Sequence, residues 1–216
     1  MTWDWNAVAD FMPSFWDGLL VTLQALVLGS LISFVLGLVW ALLMRVPSRW
    51  VRWPVSVVTE FVRNTPLLVQ LFFLFYVLPE WGLTLSAMTT GVLTIGLHYS
   101  TYTMQVYRAG IEAVPVGQWE AATALNLPRV RTWQVVILPQ AIRRVVPALG
   151  NYVTAMLKDT PMLMAITVLE MLGQARNFSQ QHFEFTEPLT VIGVAFILVS
   201  YLASLLLRSL ERRLVR

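Results

Sequence analysis

One lysine, one aspartate and one threonine lie side by side within an apolar stretch. Lys158, Asp159 and Thr160 fall inside residues 145–170, and Pro161 follows them directly. A charge at mid-bilayer costs roughly 2.5–3.5 kcal/mol unless it is paired or hydrated. Successive helical residues point about 100° apart, so Lys158 and Asp159 do not share one face, and Pro161 removes a backbone hydrogen bond in the same turn. The triplet therefore predicts a broken helix that exposes polar groups to a cavity. Two interpretations stay open: a pathway that a zwitterionic solute contacts, or a strut between subunits.

Two further pairs of polar residues could form an ion pair or take part in acid–base catalysis. Glu60 and Arg63 are three residues apart on one helical face, which predicts a structural ion pair. His98 and Glu170 could act as acid and base in a membrane-embedded enzyme. No HExxH or GxSxG motif accompanies them, and an interhelical hydrogen bond is the commoner role for such a histidine. We therefore expect no catalytic residue in this chain.

The composition also limits cofactor chemistry. The chain has no cysteine and only two histidines, which excludes a thiolate zinc site, an iron–sulfur cluster and a histidine-rich metal centre. A phosphate-binding loop needs glycine and then lysine before serine or threonine, whereas Lys158, the only lysine, follows a leucine. We expect no metal and no cofactor in this chain, and we expect any ATP and Mg²⁺ to be bound by a separate subunit.

The elements that must position these residues are long and apolar. Of 216 residues, 57% are hydrophobic and 12% are charged, against about a quarter charged in soluble proteins. A bilayer-crossing helix needs about 20 mostly apolar residues. Five stretches fit this requirement: 18–44, 55–78, 83–107, 145–170 and 188–207. The sequence therefore predicts an all-α, polytopic transmembrane helical bundle with five spans over residues 18–207.

The distribution of basic residues predicts the orientation of this bundle. Twelve of the 15 lie in residues 45–52, 108–144 and 208–216, which five spans would place on one side. Basic loops stay in the cytoplasm, so we expect the N-terminus outside and the C-terminus inside. Residues 1–17 would then be an extracytoplasmic segment with aromatic residues at the outer interface, and residues 208–216 a basic cytoplasmic tail. The net charge of +3 is a topology signal on this interpretation, and we expect no nucleic-acid partner.

The cytoplasmic segment at 117–139 carries a spaced motif. Its residues predict one short helix over 118–125, closed by Asn126 in the left-handed conformation. A second helix should begin at Pro128 and be closed by Pro139. The spacing resembles the EAA loop of bacterial ABC importer permeases, with Asn126 in place of the usual glycine. The matching residues are Glu120, Ala121, Ala122, Asn126, Leu138 and Pro139.

The chain is also similar to the polar amino-acid uptake branch of these permeases, the histidine and glutamine permease type. Residues 63–70 and the triplet at 158–160 carry this similarity, although family members usually have serine where Pro161 stands. The resemblance implies the MetI-like fold of type I ABC importer permeases in the bacterial inner membrane, surrounded by lipid. It implies that the EAA residues dock on a cytoplasmic ABC ATPase dimer. It further implies a second permease subunit, identical or homologous, and an extracytoplasmic solute-binding protein. Five residues are then candidates for the pathway of the small-molecule substrate: Asn64, Thr65, Lys158, Asp159 and Thr160.

Several alternatives accompany this interpretation. Residues 2–5 and 187–190 resemble ectoine and hydroxyectoine permeases, so the cargo could be a compatible solute. The segment at 117–139 could instead be an ordinary interfacial helix pair, with Glu120 paired to an arginine of the same chain. A self-sufficient secondary carrier would need duplicated halves, which five spans cannot provide.

Overall fold

The computed structural model describes residues 3–214, which form helices and short loops with no strand among them. Thr2 and Arg216, on which two of the predictions fall, lie outside the described residues. The all-α prediction is confirmed for the described part of the chain.

The helices are α1 (Trp5–Leu43), α2 (Arg49–Asn64), α3 (Leu67–Phe72), α4 (Ala87–Glu112), α5 (Val116–Ala124), α6 (Arg129–Arg131), α7 (Leu138–Asp159), α8 (Met171–His182) and α9 (Thr186–Leu214). Wider π turns follow α3 (Phe73–Val77) and α6 (Thr132–Ile137), and tighter 3₁₀ turns occupy Leu78–Trp81 and Thr160–Ile166.

Helix α1 begins much earlier than the sequence predicts. The Asp4 side chain accepts a hydrogen bond of 2.8 Å from the Asn6 N–H and caps the first turn. Residues 5–17, expected as part of a separate extracytoplasmic segment, are therefore continuous with the first predicted span in α1. Phe11 and Phe15 are buried there, and Phe11 packs on Phe178 of α8. These two rings therefore pack inside the bundle, whereas Trp3, Trp5 and Trp16 are exposed. The predicted tail is likewise helical as far as residue 214, as the end of α9.

Helices α1 and α4 run parallel in close contact. Gly29 of α1 lies against Ile95 of α4, and Gly37 lies against Thr103 further along both helices. The Thr103 hydroxyl donates a 2.8 Å hydrogen bond to the Ser33 carbonyl. Small residues allow helix backbones to approach closely and form such bonds, which is typical of packing in membranes.

The predicted second span is not one straight helix. Helix α2 and the segment that starts with α3 meet at 103°. Thr65 has extended dihedral angles (φ −94°, ψ 130°), because a residue that precedes proline is disfavoured in the helical region, and Pro66 follows it. Beyond the bend, the chain runs antiparallel to α4.

Helices α6 and α7 form one continuous rod through the π turn at Thr132–Ile137. Pro139 was expected to end a helix here, and that expectation is wrong. Pro139 lies in the first turn of α7, directly after the π turn, and the helical rod continues through it. The Gln140 side chain donates 2.8 Å to the Val136 carbonyl and satisfies one backbone acceptor beside the proline.

The helices alternate in direction along the chain. Gly91 and Gly110 of α4 lie against Leu163 and Val145 respectively, so α7 and its extension run antiparallel to α4. Gly150 of α7 packs on Leu207 near the end of α9. The start of α9 lies beside the start of α1. Thus α1, α4 and α9 share one direction, and α3 and α7 take the other.

By length and apolar composition, α1 and residues 186–209 are the described helices that could each cross a membrane. Helices α2 and α3 together could form a third, bent crossing. Helix α4 is more polar, since buried Thr90, Thr94 and Thr103 face its neighbours. The count of five spans therefore stays a prediction.

Helix α8 lies between the fourth and fifth predicted spans. Glu170, expected at the end of the fourth span, is fully buried and caps α8 by accepting from the Leu172 and Gly173 N–H groups at 2.9 and 2.7 Å. The Thr22 hydroxyl of α1 accepts from the Met171 N–H at 3.1 Å. These bonds satisfy backbone donors that a helix start leaves free.

The main core lies where α1, α3, α4 and α7 meet. In this core, α3 and the 3₁₀ turn after α7 pack against the parallel helices α1 and α4. The buried residues of this cluster are Ala25, Leu26, Leu67, Leu71, Val92, Ile95, Tyr99, Met156, Leu157, Leu163, Ile166 and Val168.

Candidate functional site

Helix α5 and its closing turn form a compact surface unit. Asn126 adopts the left-handed conformation (φ 49°), as predicted. The Leu127 N–H bonds to the Ala122 carbonyl at 3.0 Å and the Asn126 N–H to the Thr123 carbonyl at 2.9 Å. Asparagine tolerates this conformation better than most residues, so it replaces glycine without losing the turn.

The EAA residues do not all face outward. Glu120, Ala121 and Asn126 are exposed, whereas the Ala122 side chain is only 3% exposed because it faces its own chain. The placement of Ala122 on the docking surface is therefore wrong. Its small size instead lets α5 lie against the rest of the segment, and the Trp119 ring of α5 packs edge-on against Trp133 of the π turn at 5.3 Å.

The continuation of the motif lies on the rod that begins at α6. Leu138 and Pro139 are exposed. The Gln140 side chain donates to the Gln118 side chain at 3.2 Å and links α7 to α5. Glu120 makes no ion pair with an arginine among the described side chains. The ion pair found among them joins Arg108 and Glu112 at 3.6 Å. The alternative that Glu120 pairs with an arginine of its own chain is therefore wrong for the described residues.

The polar triplet lies where α7 ends. Helix α7 stops at Asp159 and continues as the 3₁₀ turn, which confirms the predicted break. The three side chains diverge: Lys158 is exposed, Asp159 accepts a 2.6 Å hydrogen bond from the Tyr99 hydroxyl, and Thr160 is fully buried and donates 2.7 Å to the Leu157 carbonyl. Thr160 therefore does not line an open pathway in this chain, because its hydroxyl closes the end of α7.

An aromatic cluster surrounds Asp159, and the sequence analysis missed it. Tyr152 of α7 packs on Tyr99 and Tyr102 of α4, with ring centroids 6.2 and 5.8 Å apart. His98 lies against both α4 tyrosines, at 5.5 and 5.4 Å. The one sequence signal was the i, i+3 spacing of Tyr99 and Tyr102, which places them on one helical face. The opposing tyrosine comes from a segment about 50 residues away and has no local signal.

Gln70 holds the α2–α3 bend against α4. Its side-chain nitrogen donates to the Val62 carbonyl at 2.6 Å and to the Thr65 carbonyl at 2.9 Å, and lies 3.0 Å from His98 Nδ1. The interhelical role expected for His98 is thus confirmed. Thr65 and Gln70 also line a cavity of about 330 Å³ with Phe61, Val69 and Phe73.

The predicted pathway residues of the bend differ in exposure. Asn64 is exposed, whereas the Thr65 hydroxyl donates 2.8 Å to the Phe61 carbonyl and so serves the last turn of α2. Only Asn64 of this pair has no described hydrogen bond from its side chain.

The predicted ion pair between Glu60 and Arg63 is not present. Glu60 instead accepts a 3.0 Å hydrogen bond from the Ser56 hydroxyl one turn earlier. A pair at this spacing contributes only about 0.2–0.5 kcal/mol, so a local hydroxyl can replace it.

The acid–base pair of the enzyme alternative is also not assembled. His98 contacts Gln70 and the tyrosines, while Glu170 binds the first N–H groups of α8. The two segments on which the compatible-solute alternative rests do meet, because the Asp4 N–H donates 3.1 Å to the Glu187 side chain. That contact ties two helix starts together.

Known proteins resemble this chain along nearly its whole length. Residues 33–216 match the family described as the binding-protein-dependent transport system inner membrane component. A probable amino-acid ABC transporter permease of Sinorhizobium fredii is 48% identical over 93% of this chain and 87% of its own length. The glutamine transport system permease of Escherichia coli is 33% identical over 99% of both chains.

Solved structures extend the comparison to three dimensions. A chain in a crystal structure of an amino acid ABC transporter with histidines superposes with a TM-score of 0.93 at 33% identity, covering 99% of this chain and all of the other. An inward-facing MetNI methionine ABC transporter shares the fold, with a TM-score of 0.81 at 17% identity. The MetI-like fold is therefore confirmed. This chain belongs to the binding-protein-dependent transport system inner membrane component family, the multi-pass permeases of ABC transporters.

Proposed function

We propose that this chain is one permease subunit of an ABC importer that takes up polar amino acids or related zwitterionic solutes. The observation that carries the proposal is the near-complete correspondence with a chain of an amino acid ABC transporter, over 99% of this chain at 33% identity. ATP and Mg²⁺ bind a separate cytoplasmic ATPase dimer in this proposal. A second permease subunit completes the pathway, and an extracytoplasmic binding protein delivers the solute.

Transport in proteoliposomes tests this function. The permease is reconstituted with an ABC ATPase and a solute-binding protein from the same organism, and uptake of labelled glutamine, arginine, cystine and ectoine is measured. We expect uptake of at least one amino acid that needs both ATP and the binding protein. ATP-independent uptake would contradict the proposal, and uptake of ectoine alone would favour the compatible-solute alternative.

The proposed topology is five crossings with the N-terminus outside. The alternating helix directions support it, because successive crossings must reverse, and so does the strong asymmetry of basic residues. The two crossings that differ most from simple apolar helices are the bent α2–α3 pair and α7 with its 3₁₀ extension.

Reporter fusions test this topology. An enzyme that is active only outside the cytoplasm should be active when fused after Glu80 or Gln180, and silent after Arg131 or Arg216. A cytoplasm-specific reporter should give the inverse pattern. Export of the fusion after Arg131 would contradict the five-crossing arrangement.

Lys158 is the residue of the triplet best placed for the substrate pathway. Its side chain is exposed and has no carboxylate within 4 Å among the described residues, while Asp159 and Thr160 already have partners. An exposed ammonium in an apolar bundle must meet water, solute or another subunit. In this proposal the pathway groups of this chain are Lys158, Asn64 and the Asp159 carboxylate oxygen that does not bind Tyr99.

Lys158→Met tests this role. The variant should insert normally because it removes a desolvation cost. A charge-assisted hydrogen bond contributes about 1.5–3 kcal/mol, so uptake should fall roughly ten- to a hundredfold while the amount of co-purified ATPase is unchanged. Lys158→Arg, which keeps the charge, should retain more uptake. Loss of subunit assembly in proportion to uptake would identify a strut instead.

A further inference from the structure

We infer that a cavity between the loop after α1 and residues 119–133 is a binding site for the phosphate-bearing headgroup of an anionic phospholipid. The cavity measures about 360 Å³. It is lined by Arg45, Trp119, Thr123, Leu127, Arg129 and Thr132, together with Trp133.

The two guanidinium groups that line this cavity have no acidic partner among the described residues. No carboxylate lies within 4 Å of Arg45 or Arg129 among the described side chains. The Arg45 guanidinium lies over the Trp133 ring at 5.0 Å, so its edge stays available to an anion. The two threonine hydroxyls donate to backbone carbonyls of their own helices. Two guanidinium groups therefore provide the donors, and guanidinium forms bidentate hydrogen bonds with phosphate.

The surface beside the cavity indicates a lipid as the source of that phosphate. In the first turns of α2 the exposed fractions of the Trp50 and Trp53 side chains are 91% and 67%. Arg49, which precedes them, and Arg52, which lies between them, are also exposed. Tryptophan favours the headgroup level of a bilayer. No acidic residue occurs from position 44 to position 59, so this surface complements a negatively charged leaflet.

The location gives the site a consequence for transport. Arg45 lies two residues beyond the end of α1, a helix long and apolar enough to cross the membrane. Trp133 and Trp119 belong to the segment that carries α5. A headgroup bound between them would link the α5 segment to the bilayer surface. This binding does not depend on the identity of the transported solute.

Lipid retention measured on the permease–ATPase complex tests the site. Complexes extracted from nanodiscs of equal phosphatidylglycerol and phosphatidylcholine are analysed by native mass spectrometry. The wild type should retain phosphatidylglycerol preferentially. Because each arginine near an anionic surface contributes about a fivefold change in affinity, Arg45→Gln with Arg129→Gln should weaken retention roughly 25-fold.

Controls separate the possible sources of the anion. Arg176→Gln, an exposed arginine on α8, should retain the lipid like the wild type. Equal retention by wild type and the double variant would overturn the inference, as would retention only after the ATPase is removed. Thermal stabilisation by inorganic phosphate as strong as that by phosphatidylglycerol would overturn the lipid source. If the double variant is poorly folded, the single variant Arg129→Glu on the exposed rim is measured instead, and unchanged retention there would have the same meaning.

Discussion

Glu120→Arg should abolish ATP-driven uptake while leaving the permease folded in the membrane. Glu120 is exposed on α5 and has no ion-pair partner among the described side chains, so its carboxylate is free for a contact with the ATPase. Loss of one side of a desolvated charge pair costs about 2–5 kcal/mol. The amount of co-purified ATPase should therefore fall roughly 30-fold or more. Glu80→Arg changes an exposed glutamate outside this segment and should leave ATPase binding unchanged.

A pair of alanine variants separates docking from folding of the same segment. Ala121 is exposed and Ala122 is buried. Ala121→Trp should therefore weaken ATPase binding without altering permease yield, whereas Ala122→Trp should disturb α5 itself and lower the yield. Wild-type uptake by both Glu120→Arg and Ala121→Trp would exclude docking through this face of α5.

Gly37→Ala should strongly destabilise the permease, because the backbone of α4 leaves no room for a side chain at this residue of α1. A methyl group at Gly37 would overlap the Thr103 hydroxyl and lie 3.0 Å from the Ser100 carbonyl oxygen and 3.1 Å from the Met104 nitrogen. The latter two are backbone atoms, which cannot move without separating the helices. Overpacking typically costs about 1–3 kcal/mol, and contact with backbone places this variant at the upper end.

Thermal unfolding of the purified permease measures this effect. Gly193→Ala is the matched control, because no atom beyond the adjacent backbone of α9 lies within 4 Å of the added methyl group. That control should be neutral or slightly stabilising, since alanine favours helix over glycine by about 1 kcal/mol. Equal unfolding temperatures for both variants would contradict the close packing of α1 on α4.

Local chemistry explains why several features could be predicted from the sequence. The left-handed turn at Asn126 depends on what that residue tolerates, and the break after Asp159 depends on adjacent charges followed by Pro161. The apolar lengths of α1 and α9 are likewise properties of contiguous residues. The family resemblance rests on a spacing within one segment, and the comparisons confirm it.

Only the tertiary structure decided which polar groups are free. Asp159 binds Tyr99, which is 60 residues away, and Gln70 reaches His98 across 28 residues. The spacing of residues along one helix does not indicate such distant partners. The burial of Ala122 and the continuation of a helix through Pro139 depend in the same way on neighbouring segments. Local sequence therefore determines where a helix can start, turn or break. The neighbouring helix determines which side chains remain free to bind a ligand or partner, because hydrogen bonding and burial require atoms from both helices.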